Sequence, residues 1–123
     1  MRIHHLAVQV SDLKRAVGFW HGVLGLREVR RQAHSVWLDA GGTVVMLEIC
    51  RGNGEPPAPF VDDRAGLHLV AFAIAPQERS SLRARLTAAG IAIEGETAFT
   101  MYVRDPDGTR VGLSHYPDPA PEA

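Results

Sequence analysis

From Ile3 to Val10 the chain alternates, with Ile3, His5, Ala7 and Gln9 on one side and Leu6, Val8 and Val10 on the other. That two-residue period predicts a strand. Ser11 or Asp12 then caps a helix. Leu13, Ala16, Val17, Trp20, Val23 and Leu24 recur at helical spacing, and Gly25 ends the run. Leu26 to Arg31 predicts a short strand. Ser35 to Asp39 predicts another, closed by the turn Ala40-Gly41-Gly42. Thr43 to Cys50 is apolar and β-branched, a third strand. Residues 51 to 65, RGNGEPPAPFVDDRA, break the pattern with three prolines and two glycines. A segment of this length is functional or connecting, and its Phe60 suits a lid or a dimer contact.

The same order then returns. Gly66 to Ala75 reads as a strand, and Pro76 sits where a first helical turn tolerates it. Leu82, Leu86 and Ala89 line one helix face up to Gly90. Ile91 to Glu94, Ala98 to Arg104 and Thr109 to His115 predict three more strands. The halves also match residue by residue. His5 corresponds to His68, 63 positions on, and Gly25-Leu26 to Gly90-Ile91, 65 on. Asp39-x-x-Gly42-Thr43 corresponds to Asp105-x-x-Gly108-Thr109, 66 on. Such an internal repeat sets the architecture. The expectation is an α+β fold of two tandem βαβββ modules forming a curved mixed sheet around a cleft. Module one is 1–50, the linker 51–65, module two 66–116, together one domain, and 117–123 a flexible tail.

Composition narrows the function classes. A chain of 123 residues, 46% hydrophobic and 22% charged, suits one globular domain. A net charge of −1 gives no basic face for nucleic acid. No apolar run approaches the roughly 20 residues of a membrane helix, and polar residues interrupt MRIHHLAVQVSD, which excludes a signal peptide there. The single Cys50 rules out an internal disulfide and fits a reducing cytoplasm.

The candidate chemistry lies at strand positions. His5 and His68 are repeat-equivalent, and Glu48 sits late in an apolar strand. Two imidazoles and a carboxylate make a ligand set for Zn, Fe, Ni or Mn. The plainer alternatives are two polar rim histidines and a Glu that marks where the strand reaches water. Arg110, Tyr102 and Ser114 flank Gly112 on the expected cleft side, and Arg110 suits a carboxylate or phosphate. Trp37 either stacks on a ligand or packs under the helix. A glycine inside a strand marks a bulge, a close approach or a lost side chain. The alternation of Val111 and Leu113 runs undisturbed through Gly112, which favours the last.

The segments IHHLAVQVSDLKRAVGFWHGVLGL, VVMLEI, GLHLVAFAI and VRDPDGTRVGL, together spanning nearly all of residues 2 to 115, resemble the vicinal oxygen chelate superfamily. That family includes glyoxalase I, bleomycin-resistance proteins, fosfomycin-resistance enzymes and extradiol dioxygenases. The resemblance to bacterial glyoxalase I implies a divalent metal (Zn, Ni, Mn or Fe) on His5, Glu48 and His68, with Glu48 also catalytic. His4 is expected to point to the opposite face. The family's fourth ligand is a Glu four residues after the glycine of DPDG, and here that residue is Gly112. His115 falls on the other face unless a bulge shifts it. The departure leaves three functional expectations. One is a glyoxalase-like enzyme polarising a small oxygen-bearing substrate. Another is a non-catalytic binder like the bleomycin-resistance proteins. The third is an Fe-dependent dioxygenase. The resemblance further implies a homodimer, with a small molecule as partner.

Overall fold

The structure is a computed structural model and describes residues 1–50 and 65–121. Phe60 and nearly all of the expected linker lie outside the described residues. The fold is α+β, and the chain divides into two compact units, Met1–Pro57 and Ala58–Ala123. Each unit is a βαβββ module with a four-stranded mixed sheet.

In the first unit β1 (His5–Val10) runs parallel to β4 (Val44–Ile49), and β3 (Ser35–Asp39) pairs antiparallel with β4 and with β2 (Arg27–Arg31), giving the order β1-β4-β3-β2. The alternation does what it predicts. Val8, Val10, Val36, Leu38, Val45 and Leu47 are buried on one face. They pack with Ala16, Phe19 and Trp20 of the helix. Asp12, not Ser11, is the cap: its Oδ1 accepts from Arg15 N at 2.9 Å. The helix α1 is α-helical only over Leu13–Val17 and winds on as a π-helix over Gly18–Val23. That wider turn, framed by Gly18 and Gly22, accompanies burial of both Phe19 and Trp20, whose rings meet edge to face at 5.5 Å.

In the second unit the order is β5-β8-β7-β6, with β5 (Val70–Ala73) parallel to β8 (Arg110–Ser114) and β7 (Thr100–Arg104) antiparallel to β8 and to β6 (Gly95–Glu96). Pro76 opens a 3₁₀ turn, Pro76–Glu78, that leads into α2 (Arg79–Ala88). Leu82 and Leu86 of α2 are buried, as are Met101, Val103, Val111 and Leu113 of the sheet. Ala89 is not on that buried face; it is exposed as the C-cap of α2, beside Gly90 at φ 72°. The strand expected at Ile91–Glu94 forms instead at Gly95–Glu96. Ile91 N donates to Leu86 O at 2.9 Å, so the segment begins as the helix end, and pairing with β7 starts with Glu94 N on Tyr102 O at 2.9 Å. The strand expected from Gly66 starts only at Val70, so His68 lies two residues ahead of β5.

Residues 116–118 form a turn closed by Asp118 N on His115 O at 2.8 Å, with a cis Tyr116–Pro117 bond. His115 is buried and fully engaged. Its Nδ1 donates to Asp118 O at 2.6 Å, and its Nε2 accepts from Arg79 Nη1 at 2.9 Å. Arg79 also reaches the carbonyls of Thr97 and Ala98 and the Glu96 carboxylate. His115 is thus a structural clamp and has no lone pair left for a metal.

Candidate functional site

Each sheet has a second face, opposite its buried one, and the candidate residues lie there. In the first unit the ladder β1/β4/β3 places Gln9, Glu48 and Ser35 side by side, then Ala7, Met46 and Trp37, then His5, Val44 and Asp39. His5 and Glu48 therefore share a face. They sit four residues apart along the strands, about 13 Å by strand rise, so their side chains must lean toward each other to share an ion. Glu48 is half-buried and has no hydrogen-bond or ion-pair partner among the described residues. Trp37 is half-buried on the same face, under the Arg30 guanidinium at 5.3 Å. Its Nε1 is a buried donor with no acceptor among the described residues.

His4 behaves otherwise than expected. It precedes β1, where strand alternation no longer fixes direction, and its Nδ1 lies 2.9 Å from Nδ1 of His5. One of the two rings donates to the other, so His4 orients His5 rather than turning away from it.

The second unit gathers the other candidates. Ala71, Gly112 and Tyr102 lie across one rung, with Ala73, Ser114 and Thr100 on the next and Arg110 opposite Arg104 on the other side. Both ladders pass through Gly112 without a register shift, which excludes a bulge. Three side chains surround the glycine. A Cβ at position 112 would touch Ala71 Cβ at 3.4 Å, Thr100 Cγ2 at 3.5 Å and Leu69 Cδ1 at 3.6 Å. These are ordinary van der Waals distances, so the site accommodates a Cβ without displacing its neighbours. The hydroxyls of Thr100 and Ser114 bond each other at 2.8 Å.

Arg110 is held from three sides. Its Nε donates to Glu94 Oε1 at 2.9 Å, its Nη1 donates to His68 Nε2 at 2.9 Å, and its guanidinium lies 4.4 Å over the Tyr102 ring. Glu94 also accepts from Arg104 Nε at 2.8 Å. Neither Glu94 nor Arg104 is singled out by the sequence reading. Arg104 and Arg110 are cross-strand neighbours of like charge at the mouth of the DPDG turn, and the Glu94 carboxylate between them offsets their repulsion. The Arg104 hydrogen bond, with lesser help from Arg110, holds the Glu94 carboxyl below its ordinary 4.5, against the opposing pull of partial burial.

That shift has a testable sign. A folded value below the unfolded one means Glu94 contributes stability above about 4.5, which disappears as pH falls through the folded value. Glu94→Gln should cost about 1 kcal/mol at pH 7 in urea unfolding. The gap should close as the pH is lowered below that point. A gap independent of pH would contradict the pairing.

The donor set, two imidazoles and one carboxylate, fits a divalent ion of the first transition row. Among the described residues no group of three or more His, Cys, Asp or Glu side chains is placed to hold one. His5 and Glu48 belong to the first unit and His68 to the second, each described within its own unit.

The sequence profile described as Glyoxalase/Bleomycin resistance protein/Dioxygenase superfamily matches residues 2–113. Glutathione transferase FosA of Serratia marcescens is 31% identical over 115 residues, 90% of this chain and 78% of that protein. Catechol-2,3-dioxygenase of Bacillus subtilis (strain 168) is 36% identical over 109 residues, 85% of this chain but only 37% of the dioxygenase. In fold, the crystal structure of a glyoxalase/dioxygenase from Nostoc punctiforme superposes with a TM-score of 0.75 at 23% identity, over 91% of this chain and 88% of that one. With a family match over nearly its whole length and a curated relative of similar span, the chain belongs to the glyoxalase/bleomycin resistance protein/dioxygenase superfamily.

Proposed function

We propose that this chain is a glyoxalase-like metalloprotein that acts on a small oxygen-bearing molecule, carbonyl or anionic, with His5, Glu48 and His68 as the metal ligands. The observation that carries this reading is Glu48: a half-buried carboxylate, without a partner among the described residues, on the same sheet face as His5. A carboxylate that no neighbour uses keeps its lone pairs for a cation or a substrate proton. A divalent ion bound there supplies Lewis acidity to a substrate oxygen. Three such ligands, with glycine at 112, leave one carboxylate against a doubly charged ion and a net charge of +1. That favours an anionic or oxygen-chelating partner over a tightly caged ion. Glu48 is the available proton acceptor, His4 orients His5, and Trp37 offers an indole face and an N–H in search of an acceptor. Arg110, Tyr102 and Ser114 line the substrate side of the second sheet. The proposal includes a homodimer and a reducing, cytoplasmic setting for the free Cys50.

A second reading has its own observation. His68 Nε2 is already engaged by Arg110, which suits a non-catalytic binder that uses the aromatic and cationic side chains alone. Turnover separates the two. The protein, supplemented in turn with Zn, Ni, Mn or Fe(II), is assayed against methylglyoxal–thiol adducts and catechols. The enzyme reading expects metal-dependent turnover that is lost in Glu48→Ala. Ligand binding without turnover under every metal would support the binder, and catechol cleavage with Fe(II) alone would support dioxygenase chemistry.

A further inference from the structure

The contact between Arg110 and His68 constrains more than the choice between those readings. A guanidinium has only donors, so at 2.9 Å the Nε2 atom of His68 must accept, and the ring proton is on Nδ1. The lone pair engaged by Arg110 is the same lone pair a metal would take at Nε2. Both cannot use it. Arg110 is also no casual visitor: its side chain is only 15% exposed, fixed by Glu94 and stacked on Tyr102. Arg104 anchors the same Glu94 and reaches Gly108 O at 2.9 Å, so the arrangement is tied into the DPDG turn.

We propose that Arg110 guards His68: it holds the Nε2 lone pair in the metal-free protein, and metal ligation at His68 requires the guanidinium to leave. Arg110 is then a specificity-determining residue rather than a ligand, and it sets how tightly a cation binds. The position of Gly112 fits this arrangement. Its rung, Ala71-Gly112-Tyr102, carries no carboxylate to join His68 in holding a cation, and the same strand face carries the Arg110 cation two residues away. This inference rests on the proposed ligand role of His68.

The test is calorimetric titration of the full chain with Zn²⁺ and Ni²⁺, alongside ¹⁵N NMR of the imidazole nitrogens. Arg110→Met should bind about tenfold more tightly, the scale expected when a charge-assisted hydrogen bond no longer competes and a like charge is removed. Glu94→Gln, which loosens the guard but keeps it, should shift affinity in the same direction by less, and it serves if Arg110→Met does not fold. In the wild type the metal-free His68 Nε2 should show the resonance of an unprotonated, hydrogen-bonded nitrogen and should move on metal addition. The gain from Arg110→Met should vanish in a His68→Ala background. Wild-type affinity in both Arg110→Met and Glu94→Gln, with His68→Ala weakened, would overturn the guard and leave the ligand role intact. Affinity unchanged by His68→Ala in either background would overturn the ligand role itself, and the guard with it.

Discussion

Asp105→Ala should lower stability by about 2–4 kcal/mol, the scale for one buried and one part-buried donor left without an acceptor. Asp105 is only 4% exposed, and its Oδ1 accepts from Asp107 N at 3.0 Å and from Thr109 N at 2.8 Å. Its own backbone closes the same turn, through Thr109 O and Gly108 N. Alanine supplies no oxygen for either N–H. Asparagine keeps the Oδ1 acceptor and should restore most of the loss. The internal repeat provides a control. Asp39 is the counterpart, with Oδ1 accepting from Gly41 N at 3.1 Å, but its side chain is 38% exposed and solvent can take over. Asp39→Ala should cost less than about 1 kcal/mol, as for an exposed side-chain hydrogen bond. Urea midpoints of the three variants decide the matter, and equal losses at Asp39 and Asp105 would contradict it. The effect is more than structural, because the turn fixes the start of β8 and with it the position of Arg110 beside His68.

The other large effect belongs to the first unit. Trp20→Ala should cost about 3–5 kcal/mol, the usual range for emptying a buried aromatic site. Trp20 is fully buried and meets Phe19 edge to face. The π-helical stretch that carries it holds both rings against the sheet face opposite His5 and Glu48. Cavity formation there should lower the thermal midpoint by ten degrees or more, at roughly 4–8 °C per kcal/mol for a unit of this size. Trp20→Phe, which leaves a smaller void, should lose about half as much. A loss under 1 kcal/mol for Trp20→Ala would mean the helix is not packed as described.

Much of this was legible in the sequence, and the reasons differ by residue. The modules were readable because apolar alternation and the spacing of His5/His68, Gly25/Gly90 and Asp39/Asp105 are properties of the chain itself. The absence of a bulge at Gly112 was readable because Val111 and Leu113 keep their period on both sides. The misses came where local pattern stopped deciding. His4 lies just outside β1, so alternation did not apply to it. His68 falls ahead of β5, because the strand starts later than its apolar run. Ile91–Glu94 has strand composition, yet its backbone is first claimed by the helix end. Glu94 and Arg104 entered the site through pairing across strands, a tertiary fact that no single segment announces. Arg110 was visible as a candidate anion contact, but its hold on His68 depends on a register between residues 42 positions apart.

Equilibrium dialysis against Zn, Ni, Mn or Fe(II) tests the proposed ligation by His5, Glu48 and His68 most directly. At saturation the wild type should retain about one ion per chain. His5→Ala and His68→Ala, each confirmed folded by circular dichroism, should retain markedly less at the same free metal. Wild-type protein that carries no more metal than those two variants under any of the four metals would contradict the claim.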